Sequence, residues 1–219
     1  MELTFLKLLI SGGIGLILGI VWLSFFLLED DEHPEPKSLL FATFVLGLAS
    51  AWVAIACEQI FAMNSPAWGI ADYSRISLVV NSLIEESIKF GVIWIFIRKS
   101  RFFDELIDRM IYMITASLGF ATMENLLFFL SAAMNMNELV NLALLRFIGA
   151  TLMHAIASGF LGYFWSRKKI VWGVAGAILI HAGFNEMILK SGPALMPTIF
   201  LVVLAFLLFG YFDKLRETT

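Results

Sequence analysis

Long apolar runs alternate with short polar breaks along the whole chain. A transmembrane helix needs roughly 20 mostly apolar residues, and cutting at the polar clusters leaves about seven runs of that order. They cover 5–28, 39–63, 78–97, 110–133, 142–165, 170–189 and 194–212. The breaks are Glu-Asp-Asp-Glu-His-Pro-Glu-Pro-Lys from Glu29, the stretch around Pro66, Arg98-Lys-Ser-Arg101, Asn135 to Glu138, Arg167-Lys168-Lys169, Ser191-Gly192-Pro193 and the tail from Asp213. The first run is too long for the hydrophobic region of a signal peptide. It ends in Glu29-Asp30-Asp31-Glu32 rather than a small-residue cleavage site, and reads as a retained span. The pattern predicts an all-α, polytopic transmembrane helical bundle. No repeat, low-complexity tract or long linker divides it, so 1–219 reads as one integral membrane domain.

Composition strengthens this reading. The chain is 60% hydrophobic and 15% charged, against about 45–50% and about 25% in soluble domains. So little charge cannot cover a globule in water, which excludes soluble, disordered and collagen-like chains. A net charge of −3 and the lack of a long basic run exclude a nucleic-acid partner. The single cysteine, Cys57, excludes a disulfide framework and a Cys-rich metal site, and reads as a small buried hydrophobe. Lys and Arg set orientation. Arg98, Lys99, Arg101 and Arg109, then Arg167, Lys168 and Lys169, then Lys214 and Arg216 alternate onto one side. That side is the cytoplasm, with the C-terminus inside. Seven spans put the N-terminus outside, which Lys7 fits poorly; a re-entrant first run would put it inside while the last five spans keep their orientation.

Ionisable residues inside a span are costly and need a reason. The first two runs hold Lys7 at a tip and Glu58 near an end, where it reaches the interface; the seventh holds none. Nearly all the rest fall on runs three to six: Glu85, Glu86 and Lys89; Glu124 and Asn125; Arg146 and His154; His181, Asn185 and Glu186. Glu85 and Glu86 lie four and three residues before Lys89, so one ammonium serves both. His181 and Asn185 are four apart, as are His154 and Ser158; Arg146 and His154, eight apart, share roughly one side. At about 1.5 Å per residue, Glu85, Glu124, His181 and His154 lie roughly 10, 13, 12 and 18 Å below the outer ends of their runs. Four helices over 78–189 thus build one polar layer, a catalytic core open to the outer half of the bilayer.

A carboxylate dyad supplies a base or acid that activates water, and histidine with an asparagine amide donates to an oxyanion. The same residues suit a metal, with Glu124, His154 and His181 as ligands and Glu85 or Glu86 as base. His-Glu-x-x-His and Gly-x-Ser-x-Gly are both absent, and hydrolysis by water is the chemistry these residues serve. Asn81, Ser158 and Glu58 read as groups that hold helices together.

Four motifs resemble the boxes of a known family. Glu85-Glu86-Ser-Ile-Lys89 resembles an EExxK box, and Gly119-Phe120-Ala-Thr-Met-Glu124-Asn125 a GFxxxEN box. His154-Ala-Ile-Ala-Ser158 resembles the third-motif histidine, and His181-Ala-Gly-Phe-Asn185 an HxxxN box. In order and spacing they are similar to the PrsW family of bacterial intramembrane proteases, distant relatives of the CAAX-processing type II proteases. The resemblance runs from Asn81 to Asn185. It implies a multi-pass protease of the bacterial cytoplasmic membrane that cuts a single-pass, membrane-anchored substrate such as an anti-sigma factor. It implies catalytic Glu85 and Glu86 and essential His154 and His181. In the CAAX relatives the corresponding glutamate activates water and His and Asn form the oxyanion hole; their second motif carries His where this chain has Glu124.

The expected catalytic set is Glu85, Glu86, Glu124, His154, His181 and Asn185, supported by Lys89, Asn125 and Arg146. Glutamate-activated water, needing no cofactor, is the favoured chemistry. Zinc held by Glu124, His154 and His181 is the alternative, since PrsW proteins have been classed as metalloproteases. Two other classes use the same layer: a non-catalytic scaffold, against which both glutamates argue, and an ion or proton transporter, against which a single layer rather than a path argues.

Overall fold

The computed structural model describes residues 2–30, 33–131, 136–193 and 195–217, and the side chains of all of these except 2–7 and 136. The Lys7 side chain, Asp31, Glu32, Asn135, the expected end of the fourth run at 133 and the expected start of the seventh at 194 therefore lie outside the described residues.

Every described regular element is helical: α1 (Glu2–Phe26), α2 (Lys37–Asn64), α3 (Arg75–Val92), α4 (Asp108–Ser131), α5 (Met136–Arg146), α6 (Leu152–Ser166), α7 (Ile170–Ser191) and α8 (Leu195–Arg216). A π-helical turn, Ile93–Ile97, prolongs α3, and another, Phe147–Thr151, joins α5 to α6. The ends follow local chemistry. Ser74 caps α3 by accepting from the Ser77 amide. Gly192, at φ 66°, closes α7 where a side chain would be strained, and Pro193 follows it.

Six described helical segments are long and apolar enough to cross a membrane: Leu8–Asp30, Lys37–Trp68, Asp108–Ser131, Asn137–Ser166, Ile170–Ser191 and Leu195–Arg216. The expected third span, 78–97, is helical and of sufficient length but fails on composition, because Glu85, Glu86 and Lys89 lie within it. Its charge is turned inward. Ser82, Glu86 and Lys89 are buried, while Ile76, Val79 and Leu83 face outward, as suits a helix whose surroundings are lipid.

The chain is thus a multi-pass membrane protein built around α4. That helix is buried nearly all round, packed by α1, α2 and α6. Close approach depends on missing side chains: a Cβ on Gly47 of α2 would stand 2.0 Å from the Ala116 carbonyl oxygen, and one on Gly119 of α4 2.0 Å from that of Phe44. Cys57 is half-buried rather than enclosed.

Candidate active site

The four helices expected to carry polar residues bring them to one place. α3 contributes Glu85, Glu86 and Lys89; α4 contributes Glu124 and Asn125; the α5–α6 helix contributes Arg146, His154 and Ser158; α7 contributes His181. The hub is Lys89, whose side chain has no exposed surface. Its ammonium lies 2.7 Å from Glu86 Oε1, 2.8 Å from His154 Nδ1 and 3.5 Å from Glu85 Oε2. It also stands 4.4 Å from the centre of the Phe120 ring, a cation–π contact.

These contacts fix both imidazoles. An ammonium only donates, so His154 Nδ1 accepts and the ring proton sits on Nε2. That N–H donates to Glu124 Oε2 at 2.7 Å. His181 Nδ1 lies 2.9 Å from Glu86 Oε1 and donates to it. Its Nε2 lone pair is left facing Glu85 Oε1 at 3.9 Å. The two rings stand edge to face with centroids 4.8 Å apart, and the Ser158 hydroxyl donates to Glu86 Oε2 at 3.2 Å.

Glu124 is clamped from both sides by one helix: Arg146 Nη2 lies 3.1 Å from Oε1 while His154 holds Oε2. Arg146 Nε also donates to Asn125 Oδ1, and Asn125 Nδ2 donates to Thr151 Oγ1 at 3.0 Å. Eight α-helical steps would leave Arg146 and His154 about 80° apart around the helix. The π turn between them absorbs one extra residue, removing about one 100° step and bringing them within about 20°. The wide turn is what lets both reach one carboxylate.

Glu85 differs from the other two acids. Glu86 has no exposed surface, whereas Glu85 keeps 14% of its side chain exposed and the clamped Glu124 41%. The Oε2 of Glu85 is buried without a hydrogen-bond partner, and the residue lines a cavity of 720 Å³. The cavity is walled by Glu124, Arg146, Gly149, His154, His181, Phe184 and Asn185, with Leu144, Leu145 and Ile148 at its side and Pro197 and Leu201 of α8 opposite. Within the cluster three carboxylates (Glu85, Glu86, Glu124) face two fixed cations (Lys89, Arg146), so one negative charge is in excess.

One ligand atom each from Glu85, His154 and His181 lies within 4.8 Å of the others. This is not the expected metal set, because Glu124 is engaged by Arg146 and His154 instead. A carboxylate oxygen with two imidazole nitrogens is zinc-type donor chemistry. Each imidazole also has a carboxylate on its other nitrogen, as ligating histidines do. The donors fit a metal in kind, but the Lys89 ammonium already sits on one of them, His154 Nδ1.

Among residues read as structural, Ser158 belongs to the network, and half-buried Glu58 of α2 lies against Glu85. Phe120, whose ring lies 4.4 Å from the Lys89 ammonium, carries no functional signal in the sequence beyond its place in the Gly119–Asn125 motif. What could have found it is its position four residues before Glu124, on the same face of α4. Asn185 lines the cavity apart from the network. Glu186 lies outside the site and pairs with Arg75 at 2.7 Å and Lys190 at 2.5 Å.

Residues 35–211 match the model of a family described as PrsW family intramembrane metalloprotease. Several curated relatives carry the name Protease PrsW. The one from Geobacillus kaustophilus is 29% identical over 161 residues, covering 74% of this chain and 67% of the relative. The one from Bacillus subtilis is 27% identical over 155 residues, covering 71% and 67%. The one from Clostridioides difficile is 27% identical over 189 residues, covering 80% and 76%. No solved structure is significantly similar to the chain.

Proposed function

This chain belongs to the PrsW family of intramembrane proteases, and from its site we propose that Glu85 is the base that activates the hydrolytic water. The supporting observation is the Glu85 carboxylate itself: it lines the cavity, its Oε2 makes no hydrogen bond and meets the Lys89 ammonium only at 3.5 Å, and its Oε1 is left 3.9 Å from His181 Nε2. The 3.9 Å between Glu85 Oε1 and His181 Nε2 is the span one water bridges, with one O–H directed at each. The water's oxygen then faces the cavity and attacks the scissile carbonyl. Glu85 takes the proton and returns it to the departing amine. The Asn185 amide, in the cavity wall, stabilises the oxyanion that forms.

Glu86 does not touch the substrate in this reading. It holds Lys89 and His181 in place, so the two adjacent acids divide the labour. Arg146, Asn125 and Glu124 fix His154.

A metal-dependent reading is favoured by the convergence of Glu85, His154 and His181 and by the family's description. Those residues would hold the ion, which supplies a water of lowered pKa and a polarised carbonyl. The ammonium on His154 Nδ1 favours the reading without it.

The substrate is a single-pass membrane protein, of the anti-sigma-factor type, cut in the outer half of a bacterial cytoplasmic membrane with the protease's C-terminus inside. Two features support the depth. The three segments carrying Arg and Lys clusters alternate onto one side. Glu85, Glu124 and His181 each lie about ten residues or fewer from the helix end on the opposite side.

The test is cleavage of a single-pass substrate by the reconstituted protein, with and without chelator, alongside its metal content. Metal-free protein that cuts, and stops on Glu85→Gln, is the expected result. Stoichiometric zinc with chelator-sensitive cleavage would transfer the role to the metal. Product termini from the cytoplasmic half of the substrate would refute the assigned depth.

A further inference from the structure

We propose that α1, which precedes the residues matched by the family, positions the active site, and that Trp22 is its positioning residue. The inference rests on the protease reading above. From residue 8 onward α1 holds no ionisable side chain, yet it is seated directly behind the site. A Cβ on Gly15 would stand 3.1 Å from the Thr122 carbonyl oxygen and 3.5 Å from Asn125 Cβ; one on Gly19 would stand 2.3 Å from Thr122 Oγ1. Two glycines four apart let the helices approach backbone to backbone. The residue so backed, Asn125, is the one that accepts from Arg146.

Three residues beyond Gly19, α1 reaches the second wall of the site. Trp22 Nε1 donates to the Phe147 carbonyl at 2.8 Å, and the two rings stack with centroids 5.0 Å apart. Phe147 opens the π turn that brings Arg146 and His154 into line on Glu124. A π turn aims that carbonyl at the amide five residues on rather than four, and its second lone pair takes the outside donor. The indole in turn has a half-buried N–H that loses its partner if the turn tightens. The bond therefore favours the wide turn over the regular helix, and with it the clamp on Glu124.

The test replaces Trp22 by Phe, which keeps the ring stack and removes the donor. A second variant carries β-(3-benzothienyl)alanine there, which lacks only the N–H. Two readouts are taken on the full chain in liposomes with a single-pass test substrate. The first is the split between kcat and KM. The second is the distance between spin labels at Leu144→Cys and Leu179→Cys, both exposed sites, with Cys57→Ser. Tightening the turn rotates α5 by about 100° against α6. The expected result is a kcat lower by roughly 10–100-fold at unchanged KM, with a shifted label distance in both variants. Unchanged kcat, or a distance distribution superimposable on that of the parent, overturns the proposal. If the parent cuts nothing, the protease reading of Glu85 falls, and the label distance alone decides whether Trp22 holds the turn.

Discussion

Lys89 and Glu85 sit one helical turn apart and answer to different tests. The ammonium of Lys89 is wholly buried and is shared among two acids and an imidazole. Removing one partner of such a pair leaves the others uncompensated. Lys89→Met is therefore expected to destabilise the protein by about 3–5 kcal/mol, read as a lower unfolding midpoint in detergent. Glu85 meets Lys89 only at 3.5 Å and makes no hydrogen bond through Oε2, so Glu85→Gln keeps the shape and is expected to lower the midpoint less than Lys89→Met does. Glu85→Gln is expected to lower kcat by about 10²–10⁴-fold. Loss of folded protein in that variant would argue against a free base. The spacing of Glu85, Glu86 and Lys89 made their union legible in the sequence, because partners on one helix are fixed by its period. The division of labour between the two acids was not legible. It depends on which carboxylate His181 and Ser158 reach from other helices.

At the level of elements, the helices were readable and one of their irregularities was not. The expected run 39–63 is Lys37–Asn64, and 170–189 is Ile170–Ser191, since apolar length and polar breaks govern both. The π turn Phe147–Thr151 has no such signal, because its residues are ordinary apolar and small ones whose widening answers to a contact from α1. Helix contacts set which glycines matter. Gly47→Ala would drive a methyl to 2.0 Å from the Ala116 carbonyl oxygen, so it is expected to cost about 1–3 kcal/mol. Gly210 in α8 meets nothing within 4 Å, and Gly210→Ala is expected to stabilise by about 0.5–1 kcal/mol through helix propensity. Unfolding midpoints of the two variants, compared in one detergent, check both signs.

Across the whole molecule a second buried acid cluster lies at the far end of α4 from Glu124. Glu35, in the loop before α2, accepts from the Tyr112 hydroxyl, with Asp30 and Asp108 also buried nearby. In the sequence the stretch 29–35 is only an acidic break between apolar runs, since nothing local tells that the Tyr112 hydroxyl will reach Glu35. Burial, and then the neighbouring acids, push the Glu35 carboxyl up to about 8 against an ordinary value of 4.5, although the Tyr112 hydroxyl pulls the other way. The folded protein thus holds this proton more tightly than the unfolded chain. The stability it contributes is complete below about pH 4.5 and is lost as pH rises through about 8. Glu35→Gln is expected to flatten that decline in a series of unfolding midpoints from pH 4 to about 9. The chain also carries one residue more than its active site requires. Arg146 and His154 need only meet on one carboxylate, and seven straight helical steps would bring them there without any widened turn. A single-residue deletion between 147 and 151 is therefore tolerable where an insertion is not, and the shortened protein would no longer depend on Trp22.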